Sequence, residues 1–174
     1  MNKVELALEL IKQYHGPVKR RSGEPFYLHP VAVAQLALDY NQDEETVLGA
    51  LLHDAVEDTP LLLGNIETLF GAEVAGIVDG VTHLANANNS LHKIKLSAQE
   101  NLVQLLGVKD QRALYVKVAD RLHNMRTIQH KGQASQQRTS QETLSFFVPL
   151  AQRLGLNETA TELQALAAGV LLPG

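Results

Sequence analysis

The sequence predicts an all-α fold, a single helical bundle, and three observations support this prediction. Apolar residues recur at spacings of three and four along most of the chain, as they do in residues 3–15. Gly and Pro residues divide these segments into lengths typical of helices, and Gly16-Pro17 ends the first one. Residues 113–119, ALYVKVA, also alternate as a strand would, but the unbroken pattern to Ile128 favours a helix there.

Each predicted helix follows from its own periodicity and end signals. Asp43 is a suitable N-cap for a helix that Thr59-Pro60 ends, and this helix is apolar nearly all round, which is typical of burial inside a bundle. Thr159 and Glu162 form a candidate capping box for the last helix. We expect helices over residues 3–15, 29–40, 44–58, 62–70, 72–82, 91–106, 110–128, 140–154 and 158–168. We expect loops over the polar residues 17–28, 84–90 and 131–139, the second of them mobile.

Composition narrows the class of protein. The 174 residues suit one domain over residues 1–174, and 45% apolar with 20% charged residues is typical of a soluble chain. A formal net charge of -4 argues against a protein that coats nucleic acid. The absence of cysteine excludes disulfides and thiolate metal sites. The sequence contains neither an apolar signal core nor a run of roughly 18 apolar residues, so we expect a soluble cytoplasmic protein that does not use a membrane.

The motif HDAVED, residues 53–58, carries the strongest chemical signal. On a helix, His53, Asp54, Glu57 and Asp58 share one side, because they are separated by three or four residues. Burying unpaired carboxylates in an otherwise apolar helix costs several kcal/mol each, roughly, unless a positive charge compensates. The predicted helix contains no Lys or Arg that could do so. A bound divalent cation is therefore the simplest explanation of the cluster.

Two more candidate ligands lie in other segments. His29 opens the preceding helix, and Asp120 lies in the apolar run VKVADRLHNMRT, residues 116–127. With His53 and Asp54 they complete an H…HD…D set of two imidazole nitrogens and two carboxylates. Nitrogen and oxygen ligands without sulfur suit Mn²⁺, Fe²⁺, Mg²⁺ or Zn²⁺, of which we favour Mn²⁺.

Three of these four ligands also have a purely structural explanation. His29 could simply begin a helix, Asp54 could pair with a distant Arg, and Asp120 could form a surface pair with Arg121. All three explanations must hold together for the metal prediction to fail. None of them accounts for the two further carboxylates that follow Asp54.

A local positive patch stands out in this acidic chain. Lys19, Arg20 and Arg21 adjoin one another before His29 and could neutralise a phosphate, although a solvated loop is the alternative. The weaker candidates for phosphate contact, each of which could instead pair with a surface acid, are Arg121, Arg126 and Arg138.

Five segments give the sequence its resemblance to a known family. They are RSGEPFYLHP (21–30), ALLHDAVEDT (50–59), FGAEVAGIVDGVT (70–82), VKVADRLHNMRT (116–127) and ETLSFFVPLAQRLGL (142–156). In this order they resemble the hydrolase domain of RelA/SpoT-like proteins, in particular the small alarmone hydrolases. The resemblance implies an all-helical HD domain and manganese-dependent removal of the 3′-diphosphate of ppGpp and pppGpp. It also implies a stand-alone hydrolase, since the matched segments leave no room for a synthetase or regulatory domain.

The resemblance also implies roles for single residues. Its metal ligands would be His29, His53, Asp54 and Asp120. Glu57 and Asp58 match the carboxylate pair that activates the attacking water. The residues that would contact the guanine nucleotide are Arg20, Arg21, Ser22, Asn124 and Thr127. The last two lie four and seven residues after Asp120, on the same side of a helix.

Two alternatives to this function stay open. A 5′-nucleotidase, or a hydrolase of adenine alarmones or NADPH, would use the same metal centre, although the RSGEP loop argues against the nucleotidase. A non-catalytic sensor would bind the alarmone and a partner protein without turnover. The complete set of ligands with Glu57 and Asp58 argues against that sensor. The sequence leaves the oligomeric state open.

Overall fold

The computed structural model describes residues 1–41, 43–87, 91 and 93–172. The helices are α1 (Lys3–His15), α2 (Leu28–Tyr40), α3 (Glu44–Leu52), α4 (Ala55–Asp58), α5 (Leu63–Phe70), α6 (Ala72–Asn86), α7 (Leu102–Leu106), α8 (Arg112–Arg126), α9 (Gln133–Glu142), α10 (Val148–Arg153) and α11 (Asn157–Leu171). A 3₁₀ turn (Ile128–His130) follows α8, and a π-helical turn (Thr143–Phe147) joins α9 to α10. Within the described residues no strand occurs, and Lys19 and Pro25 form an isolated antiparallel bridge. The prediction of an all-α fold is confirmed.

Helix α8 lies at the centre of the bundle because its side chains enter two hydrophobic clusters. Val116 and Ala119 pack in a first cluster with side chains of α1 to α6. Val118 and Leu122 pack in a second cluster with α7, α10, α11 and the π-helical turn. A helix buried on opposite sides has no single apolar face, which explains why its sequence pattern also fits a strand. No helix in the described part of the chain is both long and apolar enough to cross a membrane.

The predicted single helix over residues 44–58 is interrupted at its HD pair. Asp43 caps α3 as expected, since its side chain accepts from the Glu45 amide. Helix α3 then ends at Leu52, His53 and Asp54 form a turn, and α4 follows with only four residues. The cause lies in the ring of His53, whose Nδ1 donates to the Ala50 carbonyl at 2.6 Å. In a continuous helix that carbonyl would accept from the Asp54 amide instead.

Two predictions for the second half of the chain, the helix over residues 91–106 and the loop over residues 131–139, are wrong over part of their length. Residues 93–101 lie outside helices, and α7 begins only where the Asn101 side chain accepts from the two amides of Val103 and Gln104. The expected loop over residues 131–139 is instead helical from Gln133. After Gly132 the segment contains no further Gly or Pro that would interrupt a helix, and the helix is stabilised by packing on α11.

The loop expected at 84–90 begins later than the sequence indicates. Helix α6 continues to Asn86, so that residues 84–86 are helical. Residues 88–90 lie outside the described part of the chain, and the mobility expected there stays a prediction.

Thr159 and Glu162 do not form the expected capping box. Helix α11 starts before them, at Asn157. The Thr159 hydroxyl donates to the Tyr40 hydroxyl at 2.9 Å, and Glu162 accepts two hydrogen bonds from Arg126. These contacts attach the last helix to α2 and α8.

Candidate metal centre

The four predicted ligands meet between α2, α8 and the turn that joins α3 to α4. Oδ1 of Asp120 lies 2.7 Å from Nε2 of His29 and 3.3 Å from Nε2 of His53. Oδ2 of Asp54 lies 3.2 Å from Nε2 of His53 and 3.8 Å from Nε2 of His29. Both imidazoles are buried. Ligand atoms of His29, His53 and Asp120 all lie within 4.8 Å of one another, a spacing that one cation can span.

Charge in this cluster is balanced between imidazoles and carboxylates. Burial alone would lower the pKa of His53, but Asp54 and Asp120 outweigh it and raise that pKa well above its ordinary value. Burial would raise the pKa of Asp120, yet its hydrogen bonds with His29 and His53 hold it well below the usual range. The carboxylates therefore stabilise positive charge at the point where the four side chains meet.

The second ring nitrogen of His53 also has a partner, as in a typical metal-ligating histidine. His53 donates from Nδ1 to the Ala50 carbonyl, and this directs its Nε2 towards Asp54 and Asp120. Two imidazole nitrogens and two carboxylate oxygens form a donor set that fits Mn²⁺, Fe²⁺ or Zn²⁺. Binding of such a cation would displace the protons that the imidazoles now share with the carboxylates.

Glu57 and Asp58 lie on α4, directly after the HD turn, and both are exposed. Partial desolvation by the surrounding protein, with the charges of Asp54 and Asp58, raises the pKa of Glu57 although its side chain reaches solvent. Partial desolvation and the charge of Asp54 likewise raise the pKa of Asp58. Both carboxylates thus lie in the field of the metal cluster, and their raised pKa values make them better proton acceptors.

The basic loop contacts the C-terminal end of α8 and the residue that follows it. Arg20 donates to Oδ1 of Asn124 at 3.0 Å and to Oγ1 of Thr127 at 3.4 Å. These hydrogen bonds bring together Arg20, Asn124 and Thr127, three of the five residues that were predicted to contact the nucleotide. The remaining two, Arg21 and Ser22, line a cavity of about 320 Å³ together with Arg20 and Thr127. Asn124 also donates to Oδ1 of Asp120 at 3.4 Å, which joins this surface to the metal cluster.

Three further residues of the site were missed by the sequence analysis. Lys117 is buried, and its Nζ lies 3.8 Å from Oδ2 of Asp120. Nδ1 of His123 lies 2.7 Å from Nδ1 of His29, and burial, with the charges of His29 and Arg20, lowers the pKa of His123 to about 4. Lys117 and His123 lie three residues before and after Asp120, a helical spacing that could have indicated them. No sequence pattern indicated Lys131, which lines the cavity.

Two of the weaker phosphate candidates have structural partners instead. Arg121 is buried, donates to Glu142 and to the Thr139 carbonyl, and stacks over the ring of Phe147. Arg126 pairs with Glu162. Both guanidinium groups therefore stabilise helix packing around α8.

An all-α bundle with an H…HD…D set at its centre defines a helical domain built to hold a divalent cation. Comparison with protein families agrees with this class. A model described as HD domain matches residues 7–157, and the chain belongs to the HD-domain family.

Relatives of known name share much of this sequence. A GTP pyrophosphokinase of Streptomyces coelicolor is 39% identical over 178 residues, covering 99% of this chain and 20% of that protein. A Synechocystis protein named as a probable guanosine-3′,5′-bis(diphosphate) 3′-pyrophosphohydrolase is 43% identical over 159 residues, covering 91% of this chain and 21% of that protein. The chain thus spans about a fifth of the length of these relatives.

Solved structures share the fold. One is described as a metazoan ortholog of SpoT that hydrolyses ppGpp, and it matches with a TM-score of 0.63 at 23% identity, covering 98% of this chain and 94% of that one. A crystal structure of a Listeria monocytogenes protein matches with a TM-score of 0.56 at 24% identity, covering 85% of this chain and 98% of that one. At these identities the likeness concerns the fold.

Proposed function

We propose that this chain is a manganese-dependent guanosine-3′,5′-bis(diphosphate) 3′-pyrophosphohydrolase, which converts ppGpp to GDP and pppGpp to GTP with release of pyrophosphate. The convergence of His29, His53, Asp54 and Asp120 beside a basic cavity carries the proposal. The HD-domain family and the name of the Synechocystis relative support it. We also propose that residues 1–174 act as one domain in the cytoplasm on a small-molecule substrate.

The four clustered side chains would hold one divalent cation, with Mn²⁺ as the working metal. When bound, such a cation supplies Lewis acidity at a phosphate oxygen and lowers the pKa of the attacking water. Asp120 also acts before the cation binds, since in the metal-free chain its Oδ1 accepts from His29, His53 and Asn124 together. It therefore holds three elements of the site in register.

Glu57 accepts the proton of the attacking water, and Asp58 helps to orient that water. As the water oxygen bonds to the 3′ phosphorus, the bond between this phosphorus and the ribose 3′ oxygen breaks. Pyrophosphate leaves with the water oxygen, and the 3′ oxygen takes up a proton. The raised pKa values of Glu57 and Asp58 suit this role, because a general base is most effective when its pKa approaches the working pH.

The basic loop and the C-terminal end of α8 bind the nucleotide. The contacting residues are Arg20, Arg21, Ser22, Asn124 and Thr127. Guanidinium groups bind phosphate through paired hydrogen bonds, and the positive charge of this loop is local in a chain whose net charge is negative.

Incubation of metal-free protein with ppGpp and added Mn²⁺ tests the proposal. Anion-exchange chromatography should show GDP and pyrophosphate in equal amounts, and Asp120→Ala should release neither. Parallel incubations with adenine alarmones, NADPH and nucleoside 5′-monophosphates measure the preference for the guanine substrate. Survival of ppGpp with Mn²⁺, Fe²⁺, Mg²⁺ and Zn²⁺ in turn would contradict the proposal, as would cleavage at the 5′ position.

A further inference from the structure

His123 contacts two parts of the candidate site through one ring nitrogen. Its Nδ1 lies 2.7 Å from Nδ1 of His29 and 3.4 Å from Nη1 of Arg20. The rings of His29 and His123 are tilted by 37°, with centroids 4.8 Å apart. His123 therefore lies where the metal centre meets the loop of the nucleotide cavity.

The short contact between two Nδ1 atoms requires that one ring donates and the other accepts. A cation on Nε2 of His29 leaves the proton of that neutral ring on Nδ1, so His29 donates and His123 accepts. His123 then carries its own proton on Nε2. The guanidinium of Arg20 can only donate, so its approach to the same nitrogen also requires a lone pair there.

We propose that His123 is a positioning residue, which accepts the Nδ1 proton of His29, keeps that ring in the tautomer that presents Nε2 to the metal, and holds Arg20 beside the centre. This inference rests on the metal centre proposed above. A ligating histidine usually donates to a carboxylate, a backbone carbonyl or a water. His53 follows that pattern with the Ala50 carbonyl, whereas His29 depends on a side chain. A single substitution at His123 can therefore remove the hydrogen bond that orients the ring of His29.

Two substitutions separate the acceptor role of His123 from simple packing of its half-buried ring. His123→Asn places an amide oxygen near the position of Nδ1 and keeps an acceptor. His123→Leu fills similar space without one. His83→Leu is a matched control, because the ring of His83 donates to the Leu106 carbonyl at 3.1 Å.

Isothermal titration of metal-free protein with Mn²⁺ gives the affinity of each variant. We expect His123→Leu to weaken Mn²⁺ binding about 10–100-fold, His123→Asn to recover most of that loss, and His83→Leu to match the wild type. Thermal unfolding in EDTA checks that each variant is folded. Equal affinity of wild type and His123→Leu would overturn the inference, and so would equal losses in the Leu and Asn variants.

A second measurement uses the wild type alone. Long-range ¹H–¹⁵N spectra of histidine-labelled protein with Zn²⁺ should place the proton of His29 on Nδ1 and that of His123 on Nε2. A proton on Nδ1 of His123 would overturn the inference. Wild type that binds Mn²⁺ without hydrolysing ppGpp refutes the proposed function alone, whereas wild type that binds no divalent cation overturns both.

Discussion

Replacing Glu57 by Gln removes a carboxylate from the candidate centre and keeps the shape of the side chain. Glu57 is exposed on the four-residue helix α4, and partial desolvation together with the charges of Asp54 and Asp58 raises its pKa. Exposed substitutions of this kind change the free energy of unfolding by about 0.5 kcal/mol or less. The loss of repulsion from the two neighbouring carboxylates acts in favour of the variant. The fold should therefore be unaffected.

The expected effect of Glu57→Gln is on the reaction rate. A positioned general base contributes about 10²–10⁴-fold to the rate, so kcat should fall by this factor. Such a fall corresponds to an increase of about 3–5 kcal/mol in the activation free energy. The four proposed ligands are unchanged, so the variant should still bind one Mn²⁺ per chain.

Pyrophosphate release from ppGpp at saturating Mn²⁺ measures this effect, and elemental analysis of the same samples gives their metal content. Glu9→Gln is a matched control, because Glu9 is an exposed glutamate on α1. Wild-type turnover in Glu57→Gln would refute its role as the base. Loss of turnover together with loss of Mn²⁺ would instead assign Glu57 to metal binding.

Three further predictions concern stability. An Ala Cβ at Gly49 would lie 2.5 Å from Cγ2 of Ile77, so Gly49→Ala should lower the free energy of unfolding in urea by about 1–3 kcal/mol; a gain would contradict this. Hydrogen bonds from Arg112 lower the pKa of Asp110 below 3.8, so the pair stabilises the fold above that pH and loses its effect as the pH falls through the lowered pKa. The difference in free energy of unfolding between wild type and Asp110→Asn, measured in urea, should therefore disappear below pH 3.8. A difference that does not change with pH would argue against a stabilising pair of Asp110 and Arg112. Mn²⁺ at 100 times its Kd should raise the free energy of unfolding by about 2.7 kcal/mol, but not in Asp120→Ala, and an equal rise in both would exclude Asp120 as a ligand.

The sequence indicated the candidate ligands because each is a chemically distinctive residue in an apolar segment. His29, His53 and Asp120 lie far apart in the chain, and the packing of α2 and α3 with α8 brings them together. Helical periodicity predicted most of the helices of the bundle, since apolar residues recur in them at spacings of three and four. The convergence of the candidate ligands was predicted from the requirement that buried charges be compensated, and from the family resemblance.

Periodicity could not reveal the break at His53. The break depends on the direction of one imidazole ring, whose Nδ1 replaces a backbone amide at the Ala50 carbonyl. Tertiary contacts also explain the missed helix α9, whose polar sequence is stabilised by packing on α11 and by the contact of Arg121 with Glu142. The role of His123 was hidden for the same reason, because its partner His29 lies 94 residues away in the chain.

Anomalous diffraction from crystals grown with Mn²⁺ tests the central claim most directly. We expect one strong manganese peak per chain, bounded by Nε2 of His29, Nε2 of His53, Oδ2 of Asp54 and Oδ1 of Asp120. A peak elsewhere on the chain, or none at a Mn²⁺ concentration that saturates binding in solution, would contradict the proposed centre.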